Sequence, residues 1–223
     1  MPGSGTFAVS VGAAVTTATR YPARPPARAT LILAHGAGAP QSHPWMVAAS
    51  RAISARGLDV VTFNFLYAEA GKRAPDRPPI LEETWRAVVA AVRAQRGVAT
   101  GRLFIGGKSM GGRIATQVAA AGAVGRLEGL VLLGYPLHPP GKPKQLRSSH
   151  LPKVEAPMLF VQGSRDAFGT PAELAPVVEG LAAGSRVFVV EGGDHSLVRP
   201  KSSGESLDQV LARVADEVAR FSS

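Results

Sequence analysis

The segment Leu103–Arg113, LFIGGKSMGGR, contains the residues with the most evident chemistry, and they can be read in two ways. Gly107-Lys108-Ser109 has the ending of a phosphate-binding loop. The same residues with Met110 and Gly111 have the G-x-S-x-G spacing of a nucleophile elbow. A phosphate loop, G-x-x-x-x-G-K-[ST], needs its first glycine where Arg102 stands. It also needs freely turning backbone with exposed N–H groups, whereas Leu103, Phe104 and Ile105 read as a buried strand. The elbow fits at every position: a strand, a tight turn that requires small residues at Gly107 and Gly111, then a helix opening MGGRIATQVAAA. Such a turn aims the Ser109 hydroxyl over the carboxyl edge of a sheet. The plain alternative is a structural glycine turn, and the strand-then-helix context weighs against it.

A serine hydroxyl is a weak nucleophile until a base takes its proton, and the base needs a carboxylate to orient it. With an elbow of this kind the chain order is Ser, then Asp or Glu, then His. The chain has five histidines, His35, His43, His138, His150 and His195. His150 follows Ser109 but sits inside a Pro- and Lys-rich loop with no strand immediately before it. His195 follows the strand-like RVFVV through EGGDHS, the position expected of the base. Asp166, in FVQGSRDAFG, comes just past the preceding strand and is the expected acid. Asp194 is the neighbour of His195 and poorly placed to reach its ring; Glu191 is a weaker rival. For the oxyanion, LILAHGAG ends an early strand in His-Gly, which offers the backbone N–H of Ala37, or alternatively Gly38, to pair with that of Met110.

Strand-length apolar runs alternate with longer amphipathic segments, the pattern of a parallel sheet with crossover helices. The runs predict strands over Thr30–Ala34, Leu58–Phe63, Arg102–Ile105, Gly129–Leu133, Pro157–Gln162 and Arg186–Val190. Their near-continuous Leu, Ile, Val and Phe imply a sheet covered on both faces. Ile80–Arg96 places Ile80, Leu81, Thr84, Trp85, Val88, Val89 and Val92 on one helical face, and Ser206–Phe221 does so with Leu207, Val210, Leu211, Val214, Val218 and Phe221. Ser206 and Gln209 can form a capping box. Shorter helices are predicted at Pro44–Arg56, Met110–Ala121 and Pro171–Leu181, and the N-terminal segment reads as a strand or hairpin. The length of 223 residues fits one domain. The fold class expected is α/β.

Composition narrows the function classes. At 45% hydrophobic and 18% charged the chain is of globular composition. No run approaches the roughly 18 apolar residues of a membrane span, and the N-terminus lacks the basic and apolar regions of a secretory signal. No membrane partner is expected. The net charge of +9 is carried by scattered arginines, with aromatics at only 6%, which is unlike the clustered footprint of nucleic-acid binding. With no cysteine there is no disulfide framework, and a cytoplasmic location is expected. No H-E-x-x-H-type ligand spacing occurs, and Ser-His-Asp chemistry needs neither metal nor organic cofactor, so neither is expected.

Two long loops follow strands, Leu66–Pro79 and Tyr135–Pro157. Only Gly134–Ala156 separates one strand from the next, too short for a multi-helix lid. An open cleft is therefore expected, suited to small acyl groups. Lys142, Lys144, Arg147 and Lys153 on one loop and Lys72, Arg73 and Arg77 on the other would favour an anionic substrate if these loops rim it.

Taken in order, LAHGAGAP, FNFLYAEAGKRAPDRPP, FIGGKSMGGR, LLGYPLHPPGKP, LFVQGSRDAFG and GGDHS span nearly the whole chain. In these the chain resembles a small α/β-hydrolase family that includes the KANL/Tex hydrolase-like domains and is more distantly related to dienelactone hydrolases. The resemblance implies an α/β-hydrolase sheet of eight or slightly fewer strands without a cap domain, and Ser109, Asp166 and His195 as the triad. Dienelactone hydrolases use a cysteine nucleophile, which this chain lacks, so their substrate does not carry over. The function expected is a serine hydrolase acting on a small ester, thioester or amide. The rivals are a non-catalytic scaffold, since some relatives are parts of chromatin complexes, and a peptidase or acyltransferase with the same triad.

Overall fold

The computed structural model describes residues 5–24, 27–95 and 101–223. The described strands form one eight-stranded sheet. β1 (Gly5–Val11) and β2 (Ala14–Tyr21) form the N-terminal hairpin, and β2 pairs antiparallel with β4 (Leu58–Phe63). The rest is parallel: β3 (Ala29–Ala34), β4, β5 (Leu103–Lys108), β6 (Gly129–Leu133), β7 (Met158–Gly163) and β8 (Arg186–Val190). The order across the sheet is β1-β2-β4-β3-β5-β6-β7-β8.

Alternation along each strand makes two apolar layers. On one face Ile32, Phe63, Ile105, Leu132 and Phe160 pack beneath Trp85 and Val88 of α3 (Pro78–Ala94) and Ile114 of α4 (Met110–Ala120). On the other, Leu31, Leu33, Val131, Leu159 and Val161 meet Trp45 and Ile53 of α1 (Pro44–Ser54) and Val210, Val214 and Val218 of α6 (Leu207–Phe221). The Ser206–Gln209 capping box forms at the start of α6. Among the described residues no helix is long and apolar enough to cross a membrane.

Several boundaries differ from the sequence reading, each for a local reason. β5 continues beyond Ile105 to Lys108 because Gly106 and Gly107 stay in the ladder, opposite Val131 and Leu132. α3 begins at Pro78 rather than Ile80, since prolines in the first turn lose no helical hydrogen bond. Its predicted end, Arg96, lies outside the described residues. Ile80 leaves the buried stripe and is exposed. α5 (Pro171–Val178) stops short of Leu181, because the N–H groups of Gly180 and Leu181 donate to Val177 and Val178 in tighter three-residue turns. A short helix, α2 (Leu66–Glu69), opens the loop expected over Leu66–Pro79, and Asp76 Oδ2 accepts from the Tyr67 N–H 2.9 Å away. Between β6 and β7 stands only one turn of 3₁₀ helix, Leu151–Lys153, and no helical cap.

Candidate active site

The chain leaves β5 through Ser109, whose φ of 51° and ψ of −118° place a non-glycine residue in strained backbone. The strain is held by backbone crowding. A Cβ on Gly107 would stand 2.4 Å from the Ala34 carbonyl oxygen, and one on Gly111 would stand 2.5 Å from that of His35. The Ser109 N–H donates to Leu133 O at 3.0 Å, so the sheet itself fixes the turn. Packing thus explains the two glycines of the motif: β3 lies against both.

Ser109, His195 and Asp166, far apart in sequence, meet in one hydrogen-bonded chain. His195 Nε2 is 2.8 Å from Ser109 Oγ, and His195 Nδ1 is 2.8 Å from Asp166 Oδ2 and 3.0 Å from Oδ1. Since the carboxylate only accepts, Nδ1 carries the proton and Nε2 is free to accept the serine O–H. Asp166 is buried, and the His195 side chain keeps 20% exposure. Phe168 stacks on the imidazole with centroids 4.1 Å apart. Asp166 also accepts from the Phe168 N–H at 2.8 Å and from Gln162 Nε2 at 2.7 Å.

Asp194 does not join this chain. It is exposed, and its Oδ1 accepts from the Ser196 and Val198 N–H groups, closing the turn that carries His195. That turn is pinned by Trp45 Nε1 donating to Ser196 O at 2.8 Å and by fully buried Leu197, which sits at φ 62°. Glu191 is exposed as well. His150 lies apart, with Nε2 2.8 Å from Thr116 Oγ1.

Across from the elbow, the loop Gly36–Gly38 is fixed by His35. Its Nδ1 donates to Gly36 O at 2.8 Å, while Nε2 accepts the Phe65 N–H at 3.1 Å. Burial holds the His35 pKa down to about 4, against a smaller opposing effect of the bond to Gly36. Tyr67 reaches the same carbonyl at 3.4 Å, and its phenol is pushed up to about 12, chiefly by burial.

Ala37, Met110, Ser109 and His195 line a common cleft of about 520 Å³, a size suited to a small molecule. Its wall also carries His43, Met46, Lys108, Arg113 and Arg147. Burial lowers the Lys108 pKa, and Asp166 and Asp194 oppose the shift. Of the loop cations expected at the rim, only Arg147 lines the cleft. Lys153 lines a separate hollow with Arg126 and Glu128, and Lys72, Arg73, Arg77, Lys142 and Lys144 are exposed away from it. The first loop turns toward the hairpin instead, where Glu69 accepts from Thr17 Oγ1 at 2.6 Å and Asn64 Nδ2 at 2.8 Å.

A mostly parallel sheet with a strained serine between strand and helix, and no cap over it, defines the lidless α/β-hydrolase architecture. The family model of the alpha/beta hydrolase domain matches residues 27–223, and the chain belongs to that family. Solved structures agree in fold. A dienelactone hydrolase from Anabaena variabilis is 18% identical at a TM-score of 0.77, over 99% of this chain and 96% of that one. An alpha-beta serine hydrolase homologue from Coxiella burnetii is 18% identical at 0.75, over 97% and 96%. XC6422 from Xanthomonas campestris, described as a serine hydrolase without lid, is 20% identical at 0.73, over 99% and 94%.

Proposed function

We propose that this protein is a carboxylesterase-like serine hydrolase that cleaves a small ester, thioester or amide through an acyl-enzyme. The observation that carries the reading is the continuous hydrogen-bonded chain from Ser109 Oγ through both ring nitrogens of His195 to Asp166. Ser109 attacks the acyl carbon while His195 Nε2 takes its proton. Asp166 holds the ring in the productive tautomer and stabilises the imidazolium. The N–H groups of Ala37 and Met110 receive the oxyanion. His195 then returns its proton to the leaving group. Water, deprotonated by the same nitrogen, attacks the acyl-enzyme and releases the acid with Ser109 restored. The strain at Ser109 supports this reading, because a merely structural turn at that position would be easier to build with glycine.

A fluorophosphonate probe should label the folded protein at Ser109, and Ser109→Ala should abolish the label. Labelling that survives the substitution, or a folded wild type that never labels, would sink the proposal.

A further inference from the structure

The cleft is lopsided in charge. Its lining includes Lys108, Arg113 and Arg147 but no Asp or Glu. Lys108 faces the field of Asp166 and Asp194. Arg113 and Arg147 are half-buried, and neither appears in an ion pair among the described residues. Five other arginines, exposed or half-buried, find carboxylates: Arg20 pairs with Asp59, Arg186 and Arg220 with Glu217, and Arg199 and Arg213 with Glu205.

Both arginines are presented from fixed points. Arg113 lies one helical turn past the elbow, its N–H donating to Ser109 O at 3.0 Å. Arg147 belongs to the loop after β6. Its N–H donates to Leu137 O at 2.7 Å, and its carbonyl accepts from the Tyr135 hydroxyl at 2.7 Å. Burial first, then the charge of Arg147, lowers the Arg113 pKa, with Tyr135 opposing. Like charges held together without a counterion in a half-desolvated wall are unfavourable until an anion enters, and a guanidinium fork matches a carboxylate or phosphate.

We infer that Arg113 and Arg147 form an anion-binding subsite beside Ser109, and that the substrate carries a carboxylate or phosphate group seated there. The inference rests on the reading of Ser109 as nucleophile and adds the substrate class.

Three matched aryl esters test it: a butyrate, its succinate counterpart with a carboxylate ending the acyl chain, and a butyrate with the carboxylate on the phenol. The quantity read is the ratio of kcat/KM for each charged ester to that for the neutral one, which cancels general damage to the enzyme. At least one ratio should exceed roughly ten in the wild type and fall about tenfold in Arg113→Gln and in Arg147→Gln. Arg147→Lys should restore part of it, and Lys142→Gln, an exposed cation outside the cleft, should leave it unchanged. The charged ester that is preferred tells which side of the scissile bond carries the anion. Inhibition of butyrate hydrolysis by inorganic phosphate against succinate tells which anion fits better, and inhibition by either should weaken in the two glutamine variants. A protein that labels at Ser109 and turns over the neutral ester with ratios near one overturns the subsite and leaves the nucleophile standing. A preference that persists in both glutamine variants also overturns it. A Ser109 that neither labels nor cleaves any ester overturns both readings.

Discussion

His35 follows β3 and His195 follows β8 at the same edge of the sheet, and their ring nitrogens face opposite surroundings. His35 is fully buried, with backbone on both sides: a carbonyl takes the Nδ1 proton and an amide N–H fills Nε2. His195 is partly exposed, with a buried carboxylate on Nδ1 and a serine hydroxyl on Nε2. A base needs a partner that welcomes the charged ring and a proton within reach, and only the second turn provides them. The first turn uses the same imidazole as a neutral brace, bridging the proposed oxyanion loop and Phe65. A histidine near a reacting serine therefore has to be judged by what its second nitrogen touches.

The sharpest way to break this comparison is Asp166→Asn, which gives His195 a neutral partner as His35 has. Turnover of a neutral ester should fall by orders of magnitude, on the scale of ~10⁴ for that role. A loss under tenfold would place the acid elsewhere. Next in size is acid sensitivity at His35. Its folded pKa of about 4 lies below the ordinary 6.5, so the unfolded chain takes up the proton first. The stabilisation is fully present above pH 6.5 and is lost as pH falls from 6.5 to about 4, a contribution of about 3 kcal/mol. Urea unfolding across this range should show a shallower pH dependence in His35→Gln than in the wild type; parallel curves would mean the ring is not held neutral. The smallest effect belongs to Asp194→Asn, where an amide oxygen can still accept the turn's N–H groups. Ester turnover should change no more than a few-fold. A fall matching that of Asp166→Asn would reverse the two aspartates.

The parallel sheet, the cap-free connection after β6 and the convergence of Ser109, Asp166 and His195 were legible because each leaves a sequence mark. Continuous apolar runs mark strands covered on both sides, and glycines mark the turn where β3 presses on the elbow. Gln162 was missed as a site residue. It sits in the apolar run MLFVQG and is fully buried, and besides Asp166 its amide also donates to Gly169 O at 2.7 Å. The available signal was a polar residue at an interior strand position, which must find partners when buried. The cationic wall was misread because loop residues were weighed by charge and not by direction. Lys142 and Lys144 point to solvent, whereas Arg113 was hidden inside a helix whose glycine-rich start drew attention to the elbow. Direction depends on contacts between distant segments, such as Glu69 with Thr17, and periodicity carries no trace of those.

The elbow and the histidine turn hang from very different strands. β5 is buried along nearly its whole length with a partner on each side, while β8 closes the sheet and only Val190 of its five residues is buried. Local opening starts where burial is least. On warming, the strand that leads to His195 should fray before the one that leads to Ser109, which remains tied to the interior through Leu133. Heat would then part His195 from Ser109 while most of the sheet is still standing.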